Sequence, residues 1–219
     1  MKYAIIGAGG TGGCLGFFLK KAGKDVTLIA RGKHLEAIRK NGLTIQKLWD
    51  ESRETLPVKA CTAEEYKEIP DVILVCVKGY SMDETVPTIK KIAGKETVVI
   101  PILNIYGTGG RLQKKLPELT VTDGCIYVSA NIMEPGVILQ HGKILRVVFG
   151  ARKPEEETEK MREVAKDMVT DDLEVILSEN IRRDAMVKFS YVSPIGAAGL
   201  YCNAVAADFQ REGGEHATI

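Results

Sequence analysis

The sequence has no C-x-x-C pair, no clustered histidines, no excess of either charge and no stretch that reads as a membrane span. Each absence excludes a class of protein. The five cysteines (Cys14, Cys61, Cys76, Cys125 and Cys202) are odd in number and far apart. That argues against a disulfide framework or a structural zinc site, and for reduced thiols in a cytoplasmic protein. His34, His141 and His216 fit no ligand spacing, so no metal is expected. Lys and Arg number 30 against 29 Asp and Glu, a net charge of +1. No basic field exists to hold nucleic acid or an anionic membrane. The segment nearest to a leader peptide is Tyr3–Leu19, but its six glycines fit a strand–turn–helix better. With 45% hydrophobic and 27% charged residues, the 219-residue chain can bury a sizeable core.

What the sequence does have is glycine, 22 in all and unevenly placed. Residues 2–6 form a short apolar run, as a buried parallel strand does. Gly7-Ala8-Gly9-Gly10-Thr11-Gly12 follows as G-x-G-x-x-G, and a helical pattern runs from Thr11 to Lys21 before Gly23 closes it. Asp25–Ala30 is a second β-branched strand. Strand, glycine turn, helix and strand form the βαβ unit that gives this motif its meaning. Gly7 permits the tight turn, and Gly9 admits a pyrophosphate to the backbone. Gly12 lets helix and strand pack closely, and the helix N-terminus offers unpaired N–H groups to phosphates. After the second strand comes Ala30-Arg31-Gly32-Lys33, with no acid before Glu36. An arginine fork suits a 2′-phosphate where a carboxylate would repel it. NADP(H) is therefore the expected cofactor, with Arg31 as main contact and Lys33 or His34 as helpers.

Further strands are expected at 43–47, 56–61, 71–77 and 97–102, with a helix over about 82–93. Strands at 120–130, 137–141 and 144–149 read as an antiparallel β-meander appended to the parallel sheet. A helix from Pro154 to about Val169, a strand at 173–177, and a helix from about Glu179 to Ala207 with Ser178 as its N-cap complete the pattern. In an open parallel sheet the ligand lies beyond the carboxyl ends of the strands. That singles out Lys78 and Asn104, which directly follow two of them, and places Ala130 on the nicotinamide side. Lys188 lies in the last helix, where it either pairs with Asp184 on an exposed face or reaches toward a substrate carbonyl.

Together these residues resemble the ketopantoate reductase (2-dehydropantoate 2-reductase) family. The carriers are the turn Gly7–Gly12, Arg31-Gly32, Val77-Lys78, Leu103-Asn104, Glu134-Pro135-Gly136 and Lys188-Phe189. The resemblance implies a Rossmann-type α/β NADP-binding domain over residues 1–178, then an all-helical second domain from 179 to 219 that is shorter than the family's. It implies Lys188 as proton donor to a ketone and Asn104 as the residue that positions substrate and nicotinamide. It likewise implies Lys78 in the cofactor cleft and Arg31 on the 2′-phosphate. The implied reaction is NADPH-dependent reduction of 2-dehydropantoate to pantoate, in pantothenate biosynthesis.

Two departures keep alternatives open. Four and eight residues after Lys188, where better-known members carry asparagine, stand Val192 and Gly196. Another small keto acid is then a competing substrate. The chain also stops early for the family, so Glu212 and Glu215 take no assigned role, and a catalytically incomplete NADP-binding protein is a third expectation. A long helix carrying Phe189, Tyr191, Ile195, Leu200 and Tyr201 needs a surface to pack on. A homodimer through that helix supplies one, and a molar mass in solution equal to one chain would sink that idea. The alternative is a truncated product.

Overall fold

A computed structural model describes residues 1–204. Its first strand, β1 (Lys2–Ile6), is buried from Tyr3 to Ile6. Strand residues alternate between faces, so Tyr3 and Ile5 enter one core while Ala4 and Ile6 enter another. A central sheet thus lies between two helical layers. Its order is β5 (Lys59–Cys61), β2 (Asp25–Ile29), β1, β6 (Val72–Val75), β7 (Val98–Pro101) and β8 (Thr120–Val121), with every neighbouring pair parallel.

On the Tyr3 and Ile5 face, α1 (Gly10–Lys21) packs Leu15, Phe18 and Leu19, and α5 (Glu159–Met168) packs Met161, Val164 and Met168. On the other face, α3 (Val86–Ile92) buries Ile89 and Ile92, and α4 (Thr108–Lys115) buries Leu112. β2 and β6 flank β1 on opposite sides, so the chain's winding reverses there. A crevice opens at the carboxyl ends of strands at such a switch point. The Rossmann-type α/β architecture stands as expected.

The later strands are dealt out differently from a meander. The run expected at 120–130 is shared among three sheets. Thr120–Val121 closes the central sheet as β8. β9 (Asp123–Tyr127) joins a three-stranded sheet with β12 (Arg146–Gly150) and β13 (Glu174–Leu177), and β10 (Ala130–Glu134) opens a third. That third sheet runs β10, β11 (Val137–Gln140), β3 (Leu43–Lys47) and β4 (Arg53–Leu56). The β10–β11 hairpin and the β9–β12 pair are antiparallel, whereas β11–β3 and β12–β13 are parallel. Alternation along a strand fixes its faces but not its partners, and only the partners distinguish these sheets.

Other boundaries shift for local reasons. The helix expected from Met82 begins at Val86, after two 3-10 turns, with Pro87 in its first turn, where no donor is lost. Pro154–Glu156 is a separate 3-10 turn. α5 starts after Thr158, whose hydroxyl accepts a hydrogen bond from the Met161 N–H at 3.3 Å. α4 was not expected at all, because Gly109-Gly110 masks it. Gly109 is needed there, since a Cβ would lie 2.0 Å from the Thr122 carbonyl oxygen. The last helix, α6 (Ile181–Cys202), is capped by Asn180 rather than Ser178, and Asn203, in a left-handed conformation, ends it. The expected continuation to Ala207, like Glu212 and Glu215, lies outside the described residues.

Gly10 is where two sheets touch. A Cβ on it would lie 2.2 Å from the Ala130 carbonyl oxygen and 2.5 Å from the carbonyl carbon, both backbone atoms. Gly9 has nothing within 4 Å of the same position, and its φ of −68° suits any residue. Gly10→Ala should therefore lose about 1–3 kcal/mol of stability or more by overpacking. Gly9→Ala should unfold like the wild type. Chemical denaturation of both variants checks the contrast, and equal midpoints would contradict it.

Candidate active site

The candidate site has two parts beyond the carboxyl ends of the central strands: the glycine turn after β1, and a small crevice around Asn104 and the buried Lys188. Gly7 takes a φ of 99°, which a side chain would resist, and its N–H donates to the Ile29 carbonyl at 3.0 Å. That bond ties the turn to the end of β2. A Cβ on Gly12 would meet the Gly7 carbonyl at 1.9 Å, so helix and turn could not close on each other with any larger residue. α1 begins with no acidic residue in its first turn. The space beside Gly9 is open, and Ala8 beneath it is buried. A cradle of this shape, with a helix dipole's positive end behind it, fits a dinucleotide's phosphates.

Arg31 is exposed at the N-cap position of α2 (Gly32–Asn41), two residues beyond the Ile29 carbonyl that holds the turn. Lys33 is exposed beside it. His34 has another occupation, because both of its ring nitrogens are engaged by backbone groups. Lys78 is exposed where the chain leaves β6, next to Val77, whose side chain lies 3.1 Å from where a Gly7 Cβ would be. Ala130 meets the turn through its backbone rather than its methyl group.

Lys188 is 8% exposed, and its ammonium donates to Asn104 Oδ1 at 2.5 Å. Of the two readings left open by the sequence, this arrangement removes the pairing with Asp184. Asp184 is occupied elsewhere, accepting from Ser178 Oγ at 2.6 Å and Arg183 Nε at 3.1 Å. Lys188 sits instead on the inward face of α6 among Ile181, Ala185, Val192 and Ile195, with the spacing of a helical stripe. A lysine in the middle of such a stripe loses hydration, and burial pushes its pKa below the ordinary 10.5.

Asn104 lies three residues past the end of β7, so the hydrogen bond joins the carboxyl end of the central sheet to α6. The Tyr106 and Phe189 rings, with centroids 6.4 Å apart, clamp the same two elements together. Leu103, Gly124, Cys125, Ala185 and Val192 complete the lining of a small crevice around the pair. Sequence reasoning missed Tyr127, whose ring centroid is 5.5 Å from the ammonium, within cation–π range. The alternation of β9 carried that signal, because Cys125 and Tyr127 share the face toward Ile181. Among the described residues no group of three or more His, Cys, Asp or Glu is placed to hold a metal, and no helix is long and apolar enough to cross a membrane.

A doubly wound sheet with a glycine turn at its switch point and a lysine–asparagine pair beyond its strand ends is the frame of a Rossmann-type protein. Residues 3–154 match the family described as ketopantoate reductase PanE/ApbA, and the chain belongs to that family. It is 33% identical over 202 residues to the 2-dehydropantoate 2-reductase of Pyrococcus horikoshii, covering 90% of this chain and 64% of that protein. It is 28% identical over 217 residues to the uncharacterized oxidoreductase YkpB of Bacillus subtilis, covering 99% of this chain and 70% of that one. Among solved structures, the 2-dehydropantoate 2-reductase of Porphyromonas gingivalis W83 superimposes with a TM-score of 0.83 at 30% identity, over 96% of this chain and 75% of that chain. The chain thus spans about two thirds of the length of these curated relatives.

The Lys188–Asn104 pair generates a stability test. Asn104→Ala strips a buried ammonium of its acceptor and should cost about 1–3 kcal/mol. Lys188→Met removes the buried charge and keeps the volume, while the exposed Asn104 turns to water. It should be neutral or stabilising. Denaturation midpoints of the two variants read both, and destabilisation by Lys188→Met of the same size as by Asn104→Ala would contradict the account.

Proposed function

We propose that the chain is an NADP(H)-dependent oxidoreductase that reduces a 2-keto acid, with 2-dehydropantoate going to pantoate, a step of pantothenate biosynthesis, as the leading reaction. The observation that carries this reading is the buried Lys188 ammonium held by Asn104 at the carboxyl end of the sheet. Membership of the ketopantoate reductase family supports it. The turn Gly7–Gly12 and the N-terminus of α1 would hold the pyrophosphate, and Arg31 the 2′-phosphate. Lys78, Asn104 and Ala130 would flank the nicotinamide. When bound, the reduced nicotinamide supplies the hydride.

The rest belongs to this chain. As the carbonyl carbon gains the hydride, negative charge grows on its oxygen, and an ammonium beside it stabilises that charge and donates the proton. Lys188 is left neutral and is reprotonated from solvent. Desolvation prepares it for this, since a lysine of depressed pKa gives its proton up more readily. Asn104 fixes the direction of the ammonium. Residues 1–178 would form the dinucleotide-binding domain, and α6 the opening of a second, helical one.

A second substrate reading has its own observation. Val192 lines the crevice beside Lys188, and nothing lies within 4 Å of a Cβ position on Gly196. An apolar wall there favours a keto acid without the hydroxyl group of ketopantoate. We further propose that a second copy of the chain covers the outer side of α6, where Val187, Tyr191, Leu200 and Tyr201 are exposed. A cytoplasmic location completes the proposal, and the buried thiols Cys14 and Cys125, whose pKa burial raises, suit it.

NADPH oxidation with ketopantoate and with 2-ketoisovalerate tests the reading. Lys188→Ala should cut kcat about 100-fold or more, in the range of a lost general acid. Tight NADPH binding with no turnover on either substrate would sink the catalytic reading, and turnover insensitive to Lys188→Ala would sink the proton donor. The wild-type rate should fall as pH rises through the Lys188 pKa, with the alkaline limb below 10.5, because the protonated form is the donor. In the same assay, Arg31→Ala should raise KM for NADPH at least tenfold and leave KM for NADH nearly unchanged. Equal effects on both would remove the 2′-phosphate role.

A further inference from the structure

His34 stands in the first turn of α2 and joins two pieces of backbone from distant parts of the chain. The Gly136 N–H donates to its Nδ1 at 3.0 Å. Nδ1 is therefore the unprotonated nitrogen, and Nε2 carries the hydrogen and donates it to the Ala8 carbonyl at 2.8 Å. One neutral tautomer satisfies both contacts. The ring is half-buried, and burial holds its pKa below the ordinary 6.5, which favours that neutral form.

Each end of this bridge matters for the glycine turn. Ala8 is the second residue of Gly7–Gly12. In a trans peptide the C=O and the next N–H lie in one plane and point in opposite directions across the C–N bond. Fixing the Ala8 carbonyl on the His34 side therefore fixes the Gly9 N–H on the other side. Gly136 lies in the β10–β11 turn at a φ of 82°, and its carbonyl accepts from the Thr44 N–H at 2.9 Å, which anchors that turn to β3. The same β10 begins at Ala130, the residue packed against Gly10. The sheet that holds β10 and β11 thus grips the turn twice, once by packing at Gly10 and once through His34 at Ala8.

We propose that His34 is a positioning residue for the dinucleotide: it latches the Ala8–Gly9 peptide so that the Gly9 amide faces the phosphate side of the turn. The role rests on the cofactor reading above. It also explains why His34 is not a 2′-phosphate ligand despite lying three residues from Arg31. Its two nitrogens are spent on the Ala8 carbonyl and the Gly136 N–H, and its effect reaches the cofactor through backbone.

Three substitutions separate the contacts. In His34→Gln the longer amide can still donate to Ala8. In His34→Asn the shorter one reaches only toward Gly136, and His34→Phe keeps the ring without either bond. NADPH dissociation constants from fluorescence titration should rise about tenfold for the Asn and Phe variants, as loss of one net hydrogen bond predicts, and less than threefold for Gln. KM for NADPH should follow the same order while kcat at saturation moves far less. Amide exchange over residues 7–13, measured without cofactor, should quicken in the Asn and Phe variants and not in Gln. Unchanged NADPH affinity in the Phe variant, or a Gln variant as weak as Phe, would overturn the latch. A wild-type chain that binds neither NADPH nor NADH would instead overturn the cofactor reading and the latch's role with it, and the exchange measurement would still say whether the contact orders the turn.

Discussion

A buried ammonium is the constraint around which the crevice is arranged. Lys188 occupies a place in the stripe of α6 where an apolar residue would pack at no electrostatic cost, and burial of a charge is among the most expensive choices a fold can make. The cost is limited by one short hydrogen bond to Asn104 and one aromatic face, Tyr127. Both partners come from the sheet side, Asn104 from the end of β7 and Tyr127 from β9. α6 can therefore sit only where these groups meet it, and the Tyr106–Phe189 contact holds the same alignment. The groups that make the lysine tolerable are the ones that aim it.

The glycine turn, by contrast, is governed by sterics rather than charge. Its glycines are not equivalent. Gly7 is set by its backbone conformation, Gly10 and Gly12 by carbonyl groups that press on them, and only Gly9 faces open space. A loop so confined cannot flex to accommodate a ligand, so its amides must already point correctly. That requirement gives meaning to the contacts made by Ala130, from β10, and by His34, from α2, which is itself tied to the β10–β11 turn.

Much of this was legible in the sequence, and the limit has a physical form. Patterns local to one element read well. The apolar run of β1, the glycine turn, the β-branched β2 and β3 and the helix of Lys188 all follow from periods of two or 3.6 and from turn chemistry. Strand-end position alone singled out Asn104 and Lys78. What could not be read was pairing across the chain. The stretch 120–130 looked like one strand, yet it serves three sheets, because a strand's own alternation says nothing about its neighbour. His34 looked like a surface helper to Arg31. Its true partners are 26 and 102 residues away, and no local spacing encodes them. α4 was hidden by Gly109, a poor helix former required there by the Thr122 carbonyl.

The two parts of the site therefore differ in how firmly they are held. The turn is pressed by α1, the end of β6 and β10, and is open only beside Gly9. Lys188 rides on a helix that touches the domain by one face, while Val187, Tyr191, Leu200 and Tyr201 on its outer side are exposed. Under the proposed function, the fixed turn would serve the cofactor and the one-sided helix would present Lys188 to the substrate carbonyl. Packing on the outer face of α6 and the placing of the Lys188 ammonium are linked through one helix, since both depend on where α6 comes to rest against β9 and the loop that follows β7.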